Sequence, residues 1–92
     1  MKIVFDLEFI KKLKKADVRI RKSVKEQLLI FAKDPESPQL DNHPLRDEYR
    51  GYRSIDITVD WRAIYEEIQK NGETIAYFVT LGTHKQLYGK GS

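Results

Sequence analysis

Ninety-two residues, no cysteine and a net charge of +3 define a short basic chain. A chain of this length makes one small domain that buries about 60–65% of its unfolded surface. The missing cysteines exclude disulfides, zinc–thiolate sites and cysteine nucleophiles, and they suit a reducing compartment. No apolar run approaches the roughly 18 residues of a membrane span, and the start lacks a signal peptide's apolar core. The expectation is a soluble, cytoplasmic protein with no membrane partner. Charge is unevenly spread: residues 1–33 carry ten Lys and Arg against four Asp and Glu, residues 34–72 five against nine. A basic helical layer beside a mixed-charge sheet suits a polyanionic or acidic protein partner. Solubilising lysine on exposed helix faces is the plainer reading.

Met1–Phe5 is a β-branched and aromatic run that predicts a first strand. Asp6 can cap a helix from near Leu7, with Phe9, Ile10 and Leu13 on one side and lysines around the rest. Asp17 offers a second cap, and Val18, Val24, Leu28 and Phe31 mark a longer amphipathic helix to about Lys33. Both apolar stripes read as core-facing. Asp34-Pro35-Glu36-Ser37-Pro38 ends that helix, because proline lacks the backbone donor and disfavours helix before it. A loop runs to about Asn42, and His43-Pro44-Leu45-Arg46 leads into the sheet.

Gly51 marks the approach to the second strand. From Ile55 the odd positions Ile55, Ile57, Val59, Trp61, Ala63 and Tyr65 are apolar, while Ser54, Asp56, Thr58, Asp60 and Arg62 are polar. This is the period-2 pattern of a half-buried strand or hairpin. A turn within Thr58–Asp60 keeps residues of one parity on one face. If Ile57 pairs with Trp61, Asp56 and Arg62 point to one side together. Asn71-Gly72 signals a type I′ hairpin turn joining Trp61–Gln69 to Thr74–Leu81. Gly82 should break that strand, residues 83–88 allow about one turn of helix, and Gly89–Ser92 should be a loose tail. The order β-α-α-β-β-β predicts an α+β fold over residues 1–92: an antiparallel four-stranded sheet with both helices on one face.

The uncovered face is the natural floor for a substrate, or simply a solvated sheet surface. Two histidines, both at strand boundaries, are the chain's proton carriers near neutral pH. They and the scattered carboxylates show no metal-ligand spacing, no glycine-rich phosphate loop exists, and Ser54 has no adjacent base. No cofactor is expected. Histidines, carboxylates, arginines and a tyrosine could cleave RNA without a metal. A base activates the 2′-OH, an acid protonates the leaving 5′-oxygen, and arginine stabilises the phosphorane. A tyrosine can stack on an unstacked base. The composition permits this chemistry without requiring it.

Four words in order are more specific: His43-Pro44-Leu45, Gly51-Tyr52-Arg53, Asp60-Trp61-Arg62-Ala63-Ile64-Tyr65 and Gly82-Thr83-His84-Lys85-Gln86-Leu87-Tyr88-Gly89. Together they resemble the RelE/ParE superfamily of bacterial toxins, nearest its YafQ-type branch, over nearly the whole chain. The resemblance implies a ribosome-dependent mRNA endonuclease that needs no metal. Its partners would be mRNA in the ribosomal A site, ribosomal RNA and a cognate antitoxin, with operator DNA touched only through the antitoxin complex. It also implies that His43, Asp60 and His84 are catalytic, that Tyr88 orients the nucleotide and that Arg62 serves the transition state. Ser54 and Asp56 depart from the pattern, standing where YafQ-type chains tend to carry an acid and a histidine. Asp56 could replace a base, if its pKa is raised, or repel phosphate. Arg46, Arg50 and Lys85 are placed for RNA contact; Arg53 falls on the apolar parity and joins them only if a bulge rotates it. A gyrase poison of the ParE kind and a catalytically degenerate binding module are the rival readings.

Overall fold

The chain forms β1 (Lys2–Phe5), α1 (Leu7–Lys15), α2 (Val18–Lys33), β2 (His43–Pro44), β3 (Tyr52–Asp56), β4 (Trp61–Lys70), β5 (Glu73–Thr83) and α3 (His84–Tyr88). This computed structural model describes residues 1–89, so the expected tail at 90–92 lies outside the described residues, while Gly89 keeps helical backbone angles. Both leading helices start where their capping aspartates predict. Asp6 accepts from the Glu8 N–H and Asp17 from the Ile20 N–H, each satisfying a donor that the first turn leaves free.

The sheet has five strands in the order β1-β5-β4-β3-β2, not four. The extra strand is the two-residue β2, extended by the Leu45 N–H donating to the Tyr52 carbonyl at 2.9 Å. Proline has no donor, so such a strand survives only at an edge. The sheet is also mixed, not wholly antiparallel. β1 pairs parallel with β5, because the chain after β1 crosses back through two helices before the hairpins begin. Gly82 does not end β5, which runs through it to Thr83. A Cβ there would meet Gln86 Oε1 at 3.0 Å and Leu87 at 3.4 Å. Glycine leaves the space in which α3 folds against the strand.

Both hairpins form as their residues predict. The Ile57 and Thr58 N–H groups donate to the Trp61 carbonyl across the first turn. Asn71 and Gly72 both take positive φ in the second, as a type I′ turn demands. A bulge at Val79 shifts the parity of β5: Ile64 faces Thr80, but Tyr65 faces Phe78. Ala76 and Phe78 on one side of it, and Leu81 on the other, therefore all enter the same core.

That core is centred on the Phe78 ring, which lies 5.7 Å from Phe9 of α1, 5.4 Å from Phe31 of α2, 5.9 Å from Phe5 and 5.0 Å from Tyr65. Both helices thus sit on one sheet face. The buried Tyr65 hydroxyl accepts from Asn42 Nδ2 at 2.8 Å, and Asn42 Oδ1 in turn accepts from Arg53 Nε at 2.8 Å. Phe78→Ala should cost about 3–5 kcal/mol in urea unfolding, and Leu29→Ala, at an exposed position of α2, less than about 0.5. Equal losses would contradict this account of the core.

Candidate active site

Strand alternation sends Ser54, Asp56 and Arg62 to the face opposite the helices, where a cavity of about 320 Å³ opens. His43, Ser54, Arg62, His84 and Tyr88 line it. Four elements distant in sequence supply them: β2, β3, β4 and α3. Tight local structure sets each one.

α3 is only five residues long and is held at its start. Thr83 caps it in a reciprocal capping box with Gln86, and the His84 N–H donates to the Asp60 carbonyl at 2.8 Å. His84 and Tyr88, one helical turn apart, meet edge to face at 4.8 Å. The Tyr88 hydroxyl sits 3.4 Å from the fully buried Ser54 Oγ, and its ring meets Tyr49 at 5.9 Å.

His43 is oriented by its neighbour. Its Nδ1 lies 2.7 Å from the Asp41 carbonyl, with the Asp41 carboxylate at 3.9 Å. A carbonyl only accepts, so Nδ1 carries the proton and Nε2 keeps the lone pair of the neutral ring.

Arg62 is the most constrained side chain. Its Nη1 donates to the carbonyls of Thr58, Val59 and Trp61 at 2.9, 3.0 and 3.1 Å. Its Nε is 3.0 Å from Asp56 Oδ1, the register partner on β3. That contact is an ion pair by distance but not a hydrogen bond by direction, and Oδ1 is shut off from solvent without a hydrogen bond. Burial pushes the Asp56 carboxyl above its ordinary pKa, aided by the Asp41 charge, while Arg62 and His43 pull it down.

The other expected residues are placed differently. Asp60 is exposed in the β3–β4 turn, and only its backbone touches the site, through the carbonyl that holds His84. Arg46, Arg50 and Lys85 are exposed; the first two flank the short turn that carries Tyr49, and Lys85 follows His84. Arg53 stands apart. No bulge rotates β3, so alternation keeps Arg53 on the helix side, tied to Asn42 in the Tyr65 network. It is a structural residue there, turned away from the cavity. Sequence reasoning did not single out Asp41 or Tyr49. Asp41 was detectable as a polar neighbour two residues before His43, whereas nothing in the pattern marks Tyr49. Among the described residues, no three His, Asp or Glu side chains gather as a metal-binding group.

Two helices packed on one face of a five-stranded sheet is the architecture of RelE-like toxins. The structure superposes on YafQ from E. coli strain BL21(DE3) with a TM-score of 0.77 at 26% identity, covering 96% of this chain and 98% of that one. It also matches the YoeB/ParE toxin from Agrobacterium tumefaciens with a TM-score of 0.72 at 21% identity, over 91% and 99% of the two chains, a likeness of fold. The toxin–antitoxin complex RelBE2 from Mycobacterium tuberculosis matches likewise, with a TM-score of 0.70 at 20% identity, over 90% and 96%. No curated protein shows significant similarity. The family model for YafQ, the bacterial toxin of a type II toxin–antitoxin system, matches residues 1–89. The chain belongs to the YafQ family of type II toxins.

The raised Asp56 pKa has a stability consequence whose sign is fixed. The folded state holds that proton more tightly than the unfolded chain does. The contribution to stability is therefore fullest below the unfolded pKa and is lost as pH rises through the folded one. Asp56→Asn should melt higher than wild type at pH 7, with the gap closing once pH falls below the ordinary carboxylate range. Thermal unfolding at both pH values checks it; a lower melting point for the variant at pH 7 would mean that attraction to Arg62 outweighs burial.

Proposed function

We propose that this toxin is a ribosome-dependent mRNA endonuclease that inhibits translation by cutting message in the A site. The observation that carries the reading is the convergence of His43, Arg62, His84 and Tyr88 on one cavity of the open sheet face. The reaction needs a base to take the 2′-OH proton, whose oxygen then attacks the adjacent phosphorus. The bond to the 5′-oxygen breaks, that oxygen takes a proton from an acid, and a 2′,3′-cyclic phosphate and a 5′-hydroxyl remain. His84 and His43 are the proton carriers that line the cavity, and Asp60 stands at its rim beside the His84 backbone, able to share the acid–base work. Arg62 meets the charge that grows on the phosphorane. Tyr88, braced by Tyr49 and Ser54, gives the nucleotide a flat ring to stack on. No step requires a metal.

The exposed Arg46, Arg50 and Lys85 are the contacts to ribosomal RNA and message phosphates. Complexes of E. coli DinJ with YafQ, 28% identical to this chain with a TM-score of 0.64, support a cognate antitoxin as the protein partner. An apolar groove of about 410 Å³ between β1 and the helices, rimmed by Arg21 and Lys25, suits such a partner.

A second reading is a catalytically silent module that binds antitoxin or nucleic acid. The Asp56 carboxylate beside Arg62 favours it, since it weakens the pull on phosphate. Primer extension on a reporter mRNA after tightly controlled induction separates the two. Wild type should give codon-phased cuts, and His84→Ala should lower them by about 10²–10⁴-fold. A folded wild type that arrests no growth and leaves the message whole moves the assignment to the silent module. Replacing Arg46 and Arg50 together by alanine should weaken ribosome binding and flatten its dependence on log salt by about 0.7–0.9 per lost contact. An unchanged slope removes both from the RNA interface.

A further inference from the structure

Asp56 stands where a proton carrier is expected, yet its surroundings suit another task. It is the cross-strand partner of Arg62, at the last register pair before the β3–β4 turn. Its Oδ1 lies 3.0 Å from Arg62 Nε on one flank of the guanidinium. On the other flank, the carbonyls of Thr58, Val59 and Trp61 occupy Nη1. Only Nη2 has no partner among the described residues, and Arg62 lines the cavity that holds both histidines. Both side chains are largely buried, 19% exposed for Arg62 and 31% for Asp56, so bulk water does little to loosen the pair.

We infer that Asp56 is a positioning residue: with the three turn carbonyls it clamps Arg62 so that Nη2 alone meets the phosphate undergoing cleavage. A free arginine side chain explores many rotamers and must lose that freedom when the transition state forms. A guanidinium already fixed does not, so its charge acts without reorganisation. The arrangement also gives Asp56 no part in proton transfer: its Oδ1 faces Arg62 Nε, and the carboxyl's work is done at the arginine, not at the substrate. The cost is a carboxylate shielded from solvent with an unsatisfied oxygen, the kind of local instability that functional sites retain.

The inference rests on the reading of the cavity as the place of RNA cleavage, and the experiment separates the two. Single-turnover cleavage of message in programmed ribosomes is measured for wild type, Asp56→Asn, Asp56→Ala, Arg62→Ala and Asp56→Ala/Arg62→Ala. In parallel, the Arg62 Nε–H signal is followed by NMR in the purified toxins. Asp56→Ala should lower the rate constant about 10- to 100-fold at unchanged KM, and Asp56→Asn, which keeps an acceptor, should recover much of it. The pH profile of the residual activity should keep its wild-type limbs, and Asp56→Ala should do nothing more once Arg62 is gone. The Nε–H signal should be single in wild type, where one side-chain conformer is held, and averaged over conformers in Asp56→Ala.

A lost limb of the pH profile, or additive losses in the double variant, would make Asp56 a proton carrier and overturn the inference. An Nε–H signal indifferent to Asp56→Ala overturns it whatever the protein cleaves. A wild type that cleaves nothing removes the nuclease reading instead, and the NMR comparison still decides whether Asp56 holds Arg62.

Discussion

Burial of one sheet face beneath Phe9, Val24 and Phe31 is the constraint from which the rest of the molecule follows. Side chains alternate along a strand, so committing Ile55, Ile57, Ala63 and Tyr65 to the core commits Ser54, Asp56, Arg62 and Ile64 to the other side. The bulge at Val79 keeps that rule intact across β5, where a regular strand would have sent either Phe78 or Leu81 to the wrong face. A one-residue slip would empty the core and the cavity together. Fold and site are therefore not separable here.

Chemistry is then added at the ends of elements, where side chains can leave the sheet plane. Gly82 opens room for α3, the Thr83 capping box starts it, and the Asp60 carbonyl pins its first residue. Five residues are too few for a stable helix alone. Anchored at three points, they hold His84 and Tyr88 one turn apart over the floor made by Ser54. His43 reaches the same cavity from the β2 edge of the sheet, on a strand of two residues whose proline limits its pairing. The site is thus assembled from the β2 edge and from the end of β5, with Arg62 of β4 between them.

Much of this was legible from residue types because the signals are local. Asp6 and Asp17 mark helix starts through the first-turn donors they satisfy, and Asn71-Gly72 marks a turn through its positive φ angles. The shared side of Asp56 and Arg62 followed from pairing Ile57 with Trp61. What escaped is non-local or carried by the backbone. Nothing in Met1–Phe5 says that it lies parallel to β5, and His43-Pro44 is too short to show alternation. The Val79 bulge hides in a continuous apolar run, and Gly82 reads as a breaker until α3 is seen above it. At the site, Arg53 has the right charge for RNA but the wrong parity, Asp60 is exposed in the turn and meets the site through its backbone carbonyl, and Tyr49 joins Tyr88 only in three dimensions.

The central claim is that side chains of this cavity activate a 2′-hydroxyl of the message. Its most direct test is a programmed ribosome carrying mRNA with a single 2′-deoxy substitution at the scissile nucleotide, set beside the all-ribose message. The ribose message should be cut to a 2′,3′-cyclic phosphate end, and the deoxy message should bind the toxin equally well and stay whole. Cleavage of both at the same rate would contradict the account, because the nucleophile would then lie outside the RNA.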